Sequence, residues 1–394
     1  MNFLTAAERL AAIDHSRVVL HTESCLHSLG KFSTCQACLT ICPVEAIRAG
    51  EPPSLEAKKC LSCLACLPAC PTGAFQADDA VPNLLNCVAK LEAKSIELLC
   101  EQHPRPESGL KESNTAIRIK GCLAGIGSGG YLALLALGLD EVIVRTDGCV
   151  DCPLGSLNAQ IEAQIGAAQK LLSAWEREGA LYASGSLDQE ELVDRPLWEA
   201  SNPPLSRRDL FRMATRQGQV AAARVLAADH PVNGKHSARE RQRTLAAISH
   251  LPEPTTKSAA LSLDGMGFGM LTISEACSAC GVCARACPSG ALEFTNEEDQ
   301  HYRLTFKPGI CSGCGACLAV CGSEAIDLQP APTFEQVFGS PEPLTLISGD
   351  LARCEHCHML YAARPGSHLC EVCEFRLKNP FGSRLPPGFI KARD

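Results

Sequence analysis

Eight cysteines between residues 277 and 321 set the chemistry of this chain. They stand as CSACGVCARAC and CSGCGACLAVC, each with the spacing C-x2-C-x2-C-x3-C: Cys277, Cys280, Cys283 and Cys287, then Cys311, Cys314, Cys317 and Cys321. Three closely spaced thiolates hold one [4Fe–4S] cube, and the fourth cysteine of the run reaches across to the other. The spacing therefore pairs Cys277, Cys280, Cys283 and Cys321 on one cube, and Cys311, Cys314, Cys317 and Cys287 on the other. A disulfide framework or a zinc site fits less well, because zinc ligands come as two spaced pairs. Cys321 is followed by Gly322 where proline follows Cys287. That changes the local backbone, not the ligand set.

This stretch resembles the two-cluster bacterial ferredoxin family, and residues 25–75 repeat its pattern. Cys60, Cys63, Cys66 and Cys70 form a full run, with Pro71 after the last cysteine. The first half reads Cys35-x2-Cys38-x3-Cys42, with Phe32 where regular spacing would put a cysteine. Cys25, separated from Cys35 by nine residues, is the candidate replacement across an inserted loop. One cube would use Cys25, Cys35, Cys38 and Cys70, the other Cys60, Cys63, Cys66 and Cys42. A three-cysteine [3Fe–4S] site, or a ligand from His21 or His27, remains the alternative. The segments PVEAI and PTGAF read as the short strands that end each half.

The whole composition agrees with metal chemistry. The chain has 394 residues, net charge −8 and 25 cysteines. Its length points to two or three domains. Its mildly acidic balance gives no broad nucleic-acid footprint. Secreted disulfide scaffolds are short and even in cysteine, and this chain is neither. Twenty-four cysteines fall into six sets of four, leaving Cys87, on the apolar face of a helix, as a structural thiol. The longest apolar run, YLALLALGL at 131–139, is far below the ~20 residues of a membrane span. The start, MNFLTAAERLAAIDHSR, lacks a signal peptide's basic and apolar regions and reads as a short amphipathic helix. The expectation is a soluble protein of a reducing, cytoplasmic compartment.

Residues 94–180 carry different elements. KSIELLC, AIRIKGC and EVIVRTDGC read as strands, while GSGGYLALLALGLD and GSLNAQIEAQIGAAQKLLSAWER read as helices. Nearly continuous apolar strands alternating with helices imply a small parallel sheet. Cys100, Cys122, Cys149 and Cys152 lie where those strands end, the edge at which such sheets place their sites. Four converging thiols suggest a further iron–sulfur cluster. The segment IKGC…LALLALGLDEVIVRTDGCVDC resembles the small iron–sulfur delta subunit of methanogen viologen-reducing hydrogenases. That resemblance implies a relay of electrons between a hydrogenase and a disulfide reductase. The chain departs from the family in its C-x2-C final pair and in the single cysteine of its first strand, so [2Fe–2S] and [4Fe–4S] both stay open. A rival reading comes from Gly125, Gly127 and Gly130, which satisfy G-x-G-x-x-G between a strand and a helix, with Asp147 ending the next strand. That context suits a dinucleotide. The glycines equally suit a tight turn before a closely packed helix.

Residues 181–262 read as a helical connector, with Ser206 and Asp209 as capping residues. The connector is basic at Arg207, Arg208, Arg212, Arg216, Lys235, Arg239, Arg241 and Arg243: a solvated face, or a docking surface for an acidic partner. SRRDLF within it is internal and lacks the apolar stretch of an export signal. In the tail, Cys354-x2-Cys357 and Cys370-x2-Cys373, twelve residues apart, read as a zinc-ribbon-like site. His356 and His358 flank it, and ligation by three cysteines and one histidine stays open. The architecture expected is α+β and multidomain. It comprises a dicluster ferredoxin-like domain (1–85), a small parallel α/β iron–sulfur domain (94–180), the connector (181–262), a second dicluster domain (263–330) and the zinc-ribbon-like tail (345–394). No acid–base constellation or nucleophile motif stands out. Four [4Fe–4S] clusters, one further cluster and one zinc would make an electron-transfer subunit. It would relay single electrons between a catalytic oxidoreductase partner, of hydrogenase or formate-dehydrogenase type, and a second acceptor. The ferredoxin pairs would be the ends and the α/β domain the junction. Two other classes compete: a flavin- or nicotinamide-linked oxidoreductase subunit using the 125–130 loop, and a redox sensor or assembly factor.

Overall fold

Strands of two residues and helices of one turn build the first part of the chain, too little to bury a core of their own. The computed structural model describes residues 18–29, 33–91, 93–112, 114–185, 192–203, 217–227, 238–297 and 300–380. The chain forms two compact units, one of residues 1–231 and 237–258, the other of 232–236 and 259–394. The first opens with β1 (Val19–Leu20), α1 (Leu26–Leu29), α2 (Ala37–Ile41), β2 (Ile47–Arg48), β3 (Ser54–Leu55), α3 (Cys66–Ala69) and β4 (Phe75–Gln76). β1 pairs antiparallel with β4, and β2 with β3. Val18, Ile47, Ala74 and Phe75 make a small cluster, and Cys25, Cys38, Cys42, Cys60, Cys66 and Cys70 pack into it. So little apolar surface is a small core for a segment of this length. The amphipathic start (1–17) and Phe32 lie outside the described residues.

α4 (Val81–Lys90) follows, its buried Val81, Leu84, Leu85 and Val88 spaced as one helical face. The Asp79 carboxylate accepts the Val81 N–H at 3.0 Å and so satisfies a first-turn donor. Then come β5 (Ser95–Cys100), β6 (Ser108–Gly109), β7 (Thr115–Ile119), α5 (Gly127–Ala136), β8 (Glu141–Arg145), α6 (Asn158–Leu172), β9 (Leu181–Ser184), β10 (Val193–Asp194) and β11 (Leu197–Glu199). The main sheet runs in the order β11-β7-β5-β8-β9, and every pairing is parallel. β5, β7 and β8 are buried at most positions because both faces are covered. The sheet extends beyond residue 180, where the sequence suggests it ends. Its two edge strands, four and three residues long, carry too few apolar positions to signal themselves.

The connector is helical in part: α7 (Gln217–Ala227) packs on α4, and α8 (Arg239–His250) packs on α5. Two of its basic residues turn inward. Arg239 and Arg243 bind the Asp79 carboxylate at 3.1 and 2.9 Å. They join α8 to the start of α4 instead of facing a partner. Ser206, Arg207, Arg208, Asp209, Arg212, Arg216 and Lys235 lie outside the described residues.

The second unit repeats the scheme of the first, with β12 (Met270–Ile273), α9 (Val282–Ala286), β13 (Leu292–Glu297), β14 (His301–Phe306), α10 (Ala316–Val320) and β15 (Ile326–Gln329). β12 pairs antiparallel with β15, as β1 does with β4. β13 and β14 form a hairpin, with Tyr302, Leu304 and Phe306 buried at alternate positions. α11 (Phe334–Phe338) starts on a reciprocal cap between Thr333 and Gln336. β16 (Leu344–Arg353) pairs with β14 and with β17 (Leu360–Ala362), giving a four-stranded sheet β13-β14-β16-β17, and α12 (Glu371–Lys378) follows. The tail read as beginning at 345 is therefore continuous with the hairpin, since β16 covers the free edge of β14. Among the described residues no helix is long and apolar enough to cross a membrane.

Candidate metal centres

In the second unit the third cysteine of each run sits on a single helical turn, Cys283 on α9 and Cys317 on α10. One pocket is lined by Cys277, Cys280, Cys283 and Cys321. A second is lined by Cys287, Cys311, Cys314 and Cys317. Each thus takes three thiols from one run and one from the other. Burial and the neighbouring thiols raise Cys283 and Cys317 each to about 12. These thiols are protonated at neutral pH until a metal displaces the proton. Cys280 is exposed. Hydroxyls stand beside two fourth-position sulfurs: Ser289 Oγ lies 3.6 Å from Cys287 Sγ, and Ser323 Oγ 3.7 Å from Cys321 Sγ.

The first unit groups its thiols the same way. Cys25, Cys35, Cys38 and Cys70 lie in mutual electrostatic reach, and burial with those neighbours raises Cys38 to about 11. Cys42, Cys60, Cys63 and Cys66 form the other set. The Ala74 and Ala46 amides donate to Cys70 Sγ and Cys42 Sγ at 3.3 and 3.2 Å. Thr72 Oγ1 lies 3.6 Å from Cys70 Sγ. The rival ligands are engaged elsewhere: His27 Nε2 donates to the Cys35 carbonyl at 2.8 Å, and His21 Nδ1 is 3.4 Å from Glu23. Cys87 stands apart, fully buried on α4, where burial pushes its thiol up to about 12.

At the carboxyl edge of the parallel sheet, Cys100, Cys122, Cys149 and Cys152 come into electrostatic reach of one another. Burial first, then the neighbouring thiols, pushes Cys122 to about 12 and Cys149 to about 11. A buried ionic network fixes this edge from beneath. Arg145, fully buried, binds Glu97 at 2.9 Å and both oxygens of Asp147, at 2.7 and 2.9 Å. Arg195 meets the same Glu97 carboxylate at 2.9 Å. Burial alone would raise Glu97, but Arg195, the Leu110 amide and Asn114 hold it below the usual carboxylate range. His103, itself buried, places Nε2 3.3 Å from Asp147. Asp147 is thereby taken up inside the protein and is not available to a ribose. Tyr131 tests whether the site fits a cluster. Its hydroxyl is buried, has no hydrogen-bond partner among the described residues, and lies within electrostatic reach of Cys122 and Cys149. A buried hydroxyl costs free energy when unpaired, and the sulfur of a bound cluster would offer it an acceptor.

The glycine loop resolves differently from a nucleotide site. Glu240 of α8 points its carboxylate into the loop at the start of α5. It accepts from the Gly129 amide and, at 3.0 Å, from Ser128 Oγ. It occupies the helix terminus where a pyrophosphate would bind. A Cβ on Gly129 would meet the Glu240 carbonyl at 2.7 Å and the Thr244 amide at 2.8 Å. That glycine serves close packing of α5 against α8. The dinucleotide reading of 125–130 fails here for two reasons: Glu240 fills the anion position, and Asp147 is committed to Arg145.

In the tail, Cys354, Cys357, Cys370 and Cys373 hold their sulfurs within 4.8 Å of one another. No other set of three or more candidate ligands among the described residues closes as tightly. Thiolates around a tetrahedral ion at about 2.3 Å lie about 3.8 Å apart, and Cys357 Sγ and Cys370 Sγ are 3.6 Å apart. Burial opposes ionisation of Cys354, but the amides of Cys370, Cys357 and His356 outweigh it and hold its thiol at about 6. His356 Nδ1 lies 3.6 Å from Cys373 Sγ, outside the four-sulfur set. The signal missed in the sequence is the hydroxyl two places after Cys70, Cys287 and Cys321. Glu240 carried no local signal at all.

Residues 276–325 match the 4Fe-4S dicluster domain family. The match supplies an iron–sulfur, electron-transfer role for this part of the chain. No curated protein matches the chain.

Proposed function

We propose that this chain is a multi-cluster iron–sulfur electron-transfer subunit. It passes single electrons between a catalytic oxidoreductase partner, of hydrogenase or formate-dehydrogenase type, and a second acceptor, in a reducing compartment such as the cytoplasm. The carrying observation is that 24 of the 25 cysteines fall into six four-thiol sets, two of them within the matched dicluster segment. Cys277, Cys280, Cys283 and Cys321 would hold one [4Fe–4S] cluster, and Cys311, Cys314, Cys317 and Cys287 a second. Cys25, Cys35, Cys38 and Cys70 would hold a third, and Cys60, Cys63, Cys66 and Cys42 a fourth. Cys100, Cys122, Cys149 and Cys152 would hold a [2Fe–2S] or [4Fe–4S] cluster, and Cys354, Cys357, Cys370 and Cys373 a redox-inert zinc ion. Such clusters supply one-electron carriers whose potentials follow from sulfur hydrogen bonding and solvent exposure. The protein's part is to bury the thiols, orient them on one-turn helices and leave an edge such as Cys280 open to a partner.

Iron, sulfide and zinc per chain on anaerobically purified protein test this reading. About 18–20 Fe and one Zn are expected. Iron near 8, the content of one two-cube domain, sinks it.

A further inference from the structure

One backbone residue in the first unit breaks the pattern of its counterparts. The residue after the second cysteine of a full run is Gly281 in one loop of the second unit and Gly315 in the other, at φ 65° and 71°. The first unit puts Leu64 there, at φ 62°. A side chain in the left-handed region is strained, and the fold keeps it only where something offsets that strain. The offset is visible. Leu64 packs against the loop that follows Cys122: a Cβ on Gly125 would lie 2.8 Å from the Leu64 Cβ and 3.4 Å from the Cys63 carbonyl oxygen. The contact exists because position 125 carries no side chain. On one side of it stands Cys63, on the other Cys122, and the two thiols fall within electrostatic reach. Helix α8 clamps both sides, with Arg239 and Arg243 on Asp79 and Glu240 on Gly129.

We propose that the Leu64–Gly125 contact is an electron-transfer junction that couples the Cys42–Cys60–Cys63–Cys66 site to the Cys100–Cys122–Cys149–Cys152 site. This inference rests on the iron–sulfur reading above. The step is the movement of one electron: one site is oxidised and the other reduced, with no bond made or broken. Tunnelling falls steeply with separation, so Leu64 and Gly125 are positioning residues, holding two loops at backbone contact. The set Cys25–Cys35–Cys38–Cys70 then communicates with the α/β site through its sister site.

The test uses the full-length holoprotein reduced with dithionite. The readout is the magnetic interaction between reduced clusters, seen as splitting and relaxation enhancement in EPR. Cys122→Ser identifies which part of the interaction involves the α/β site. Gly125→Leu must push the loops apart, and Leu64→Gly removes the packing while installing the residue the other two runs use. Both are expected to keep wild-type iron content and to weaken the Cys122-dependent interaction at least severalfold. An interaction unchanged in both variants at full iron content overturns the junction while leaving the multi-cluster reading intact. Wild-type iron short of the α/β site's share overturns that reading and the junction with it. A misfolded Gly125→Leu protein leaves Leu64→Gly to decide.

Discussion

Three of the four fourth-position cysteines have a hydroxyl beside them, from Thr72, Ser289 and Ser323, and Cys42 does not, because Val44 stands two places on. A hydroxyl that donates to a ligating sulfur stabilises the reduced, more negative state and raises the potential. One such bond is worth on the order of 1 kcal/mol, or about 40 mV for one electron. Thr72→Val should lower the potential of the site holding Cys70 by that amount and leave the others in place, as followed by EPR-monitored redox titration. A uniform shift of all clusters, or none, would show that Thr72 does not address that site. The cysteine positions were legible at this scale because ligand spacing is local. The hydroxyls were equally local, as C-x-[ST], but their aim at sulfur depends on the turn that follows each helix.

Helix α8 is the element that ties the first unit together, through Arg239 and Arg243 on Asp79 and Glu240 on the glycine loop. Burial raises the Glu240 pKa more than the Gly129 amide, Arg243 and Ser128 lower it. The unfolded value is near 4.3. A raised folded pKa contributes stability that is fully present below the unfolded value and lost as pH rises through the folded one. Glu240→Gln keeps an acceptor for Gly129 and has no charge to bury, so its melting temperature should stay flat across the window in which the wild type declines. Glu240→Ala leaves the amide unpaired and should cost about 1–3 kcal/mol at any pH. Parallel wild-type and Gln curves in thermal melts would rule out ionisation of Glu240 as the cause. At this scale the sequence suggested the glycine turn and the buried helix α5, but not the helix that would lie against them.

Across the whole molecule the charge balance is mildly acidic, and from that no retention on nucleic acid is expected. The net charge is −8 and the pI about 5.8. Two basic residues of α8, Arg239 and Arg243, are engaged with Asp79. The chain should pass through immobilised DNA unretained even at about 50 mM salt, where phosphate contacts are strong. Salt-sensitive retention would revive the sensor reading. Both compact units use the same device: antiparallel pairs of very short strands bracket paired cysteine runs. The buried Glu97–Arg145–Arg195 cluster belongs to the parallel sheet alone.

The sequence by itself determined which cysteines stand at ligand spacing, because C-x2-C-x2-C-x3-C is a property of one loop and one helical turn. It also determined the central strands β5, β7 and β8, whose largely apolar runs announce burial on both faces. Tertiary structure alone decided what sits between those pieces. Glu240 reaches the glycine loop from more than a hundred residues away, and Leu64 meets Gly125 across two elements that share no local pattern. The edge strands β9 and β11 and the tail strand β16 were likewise settled by the neighbours they pair with. Spacing records what a ligand set demands within a few residues of chain. Which distant side chain fills a loop, or which strand closes an edge, depends on contacts that exist only after the chain has folded.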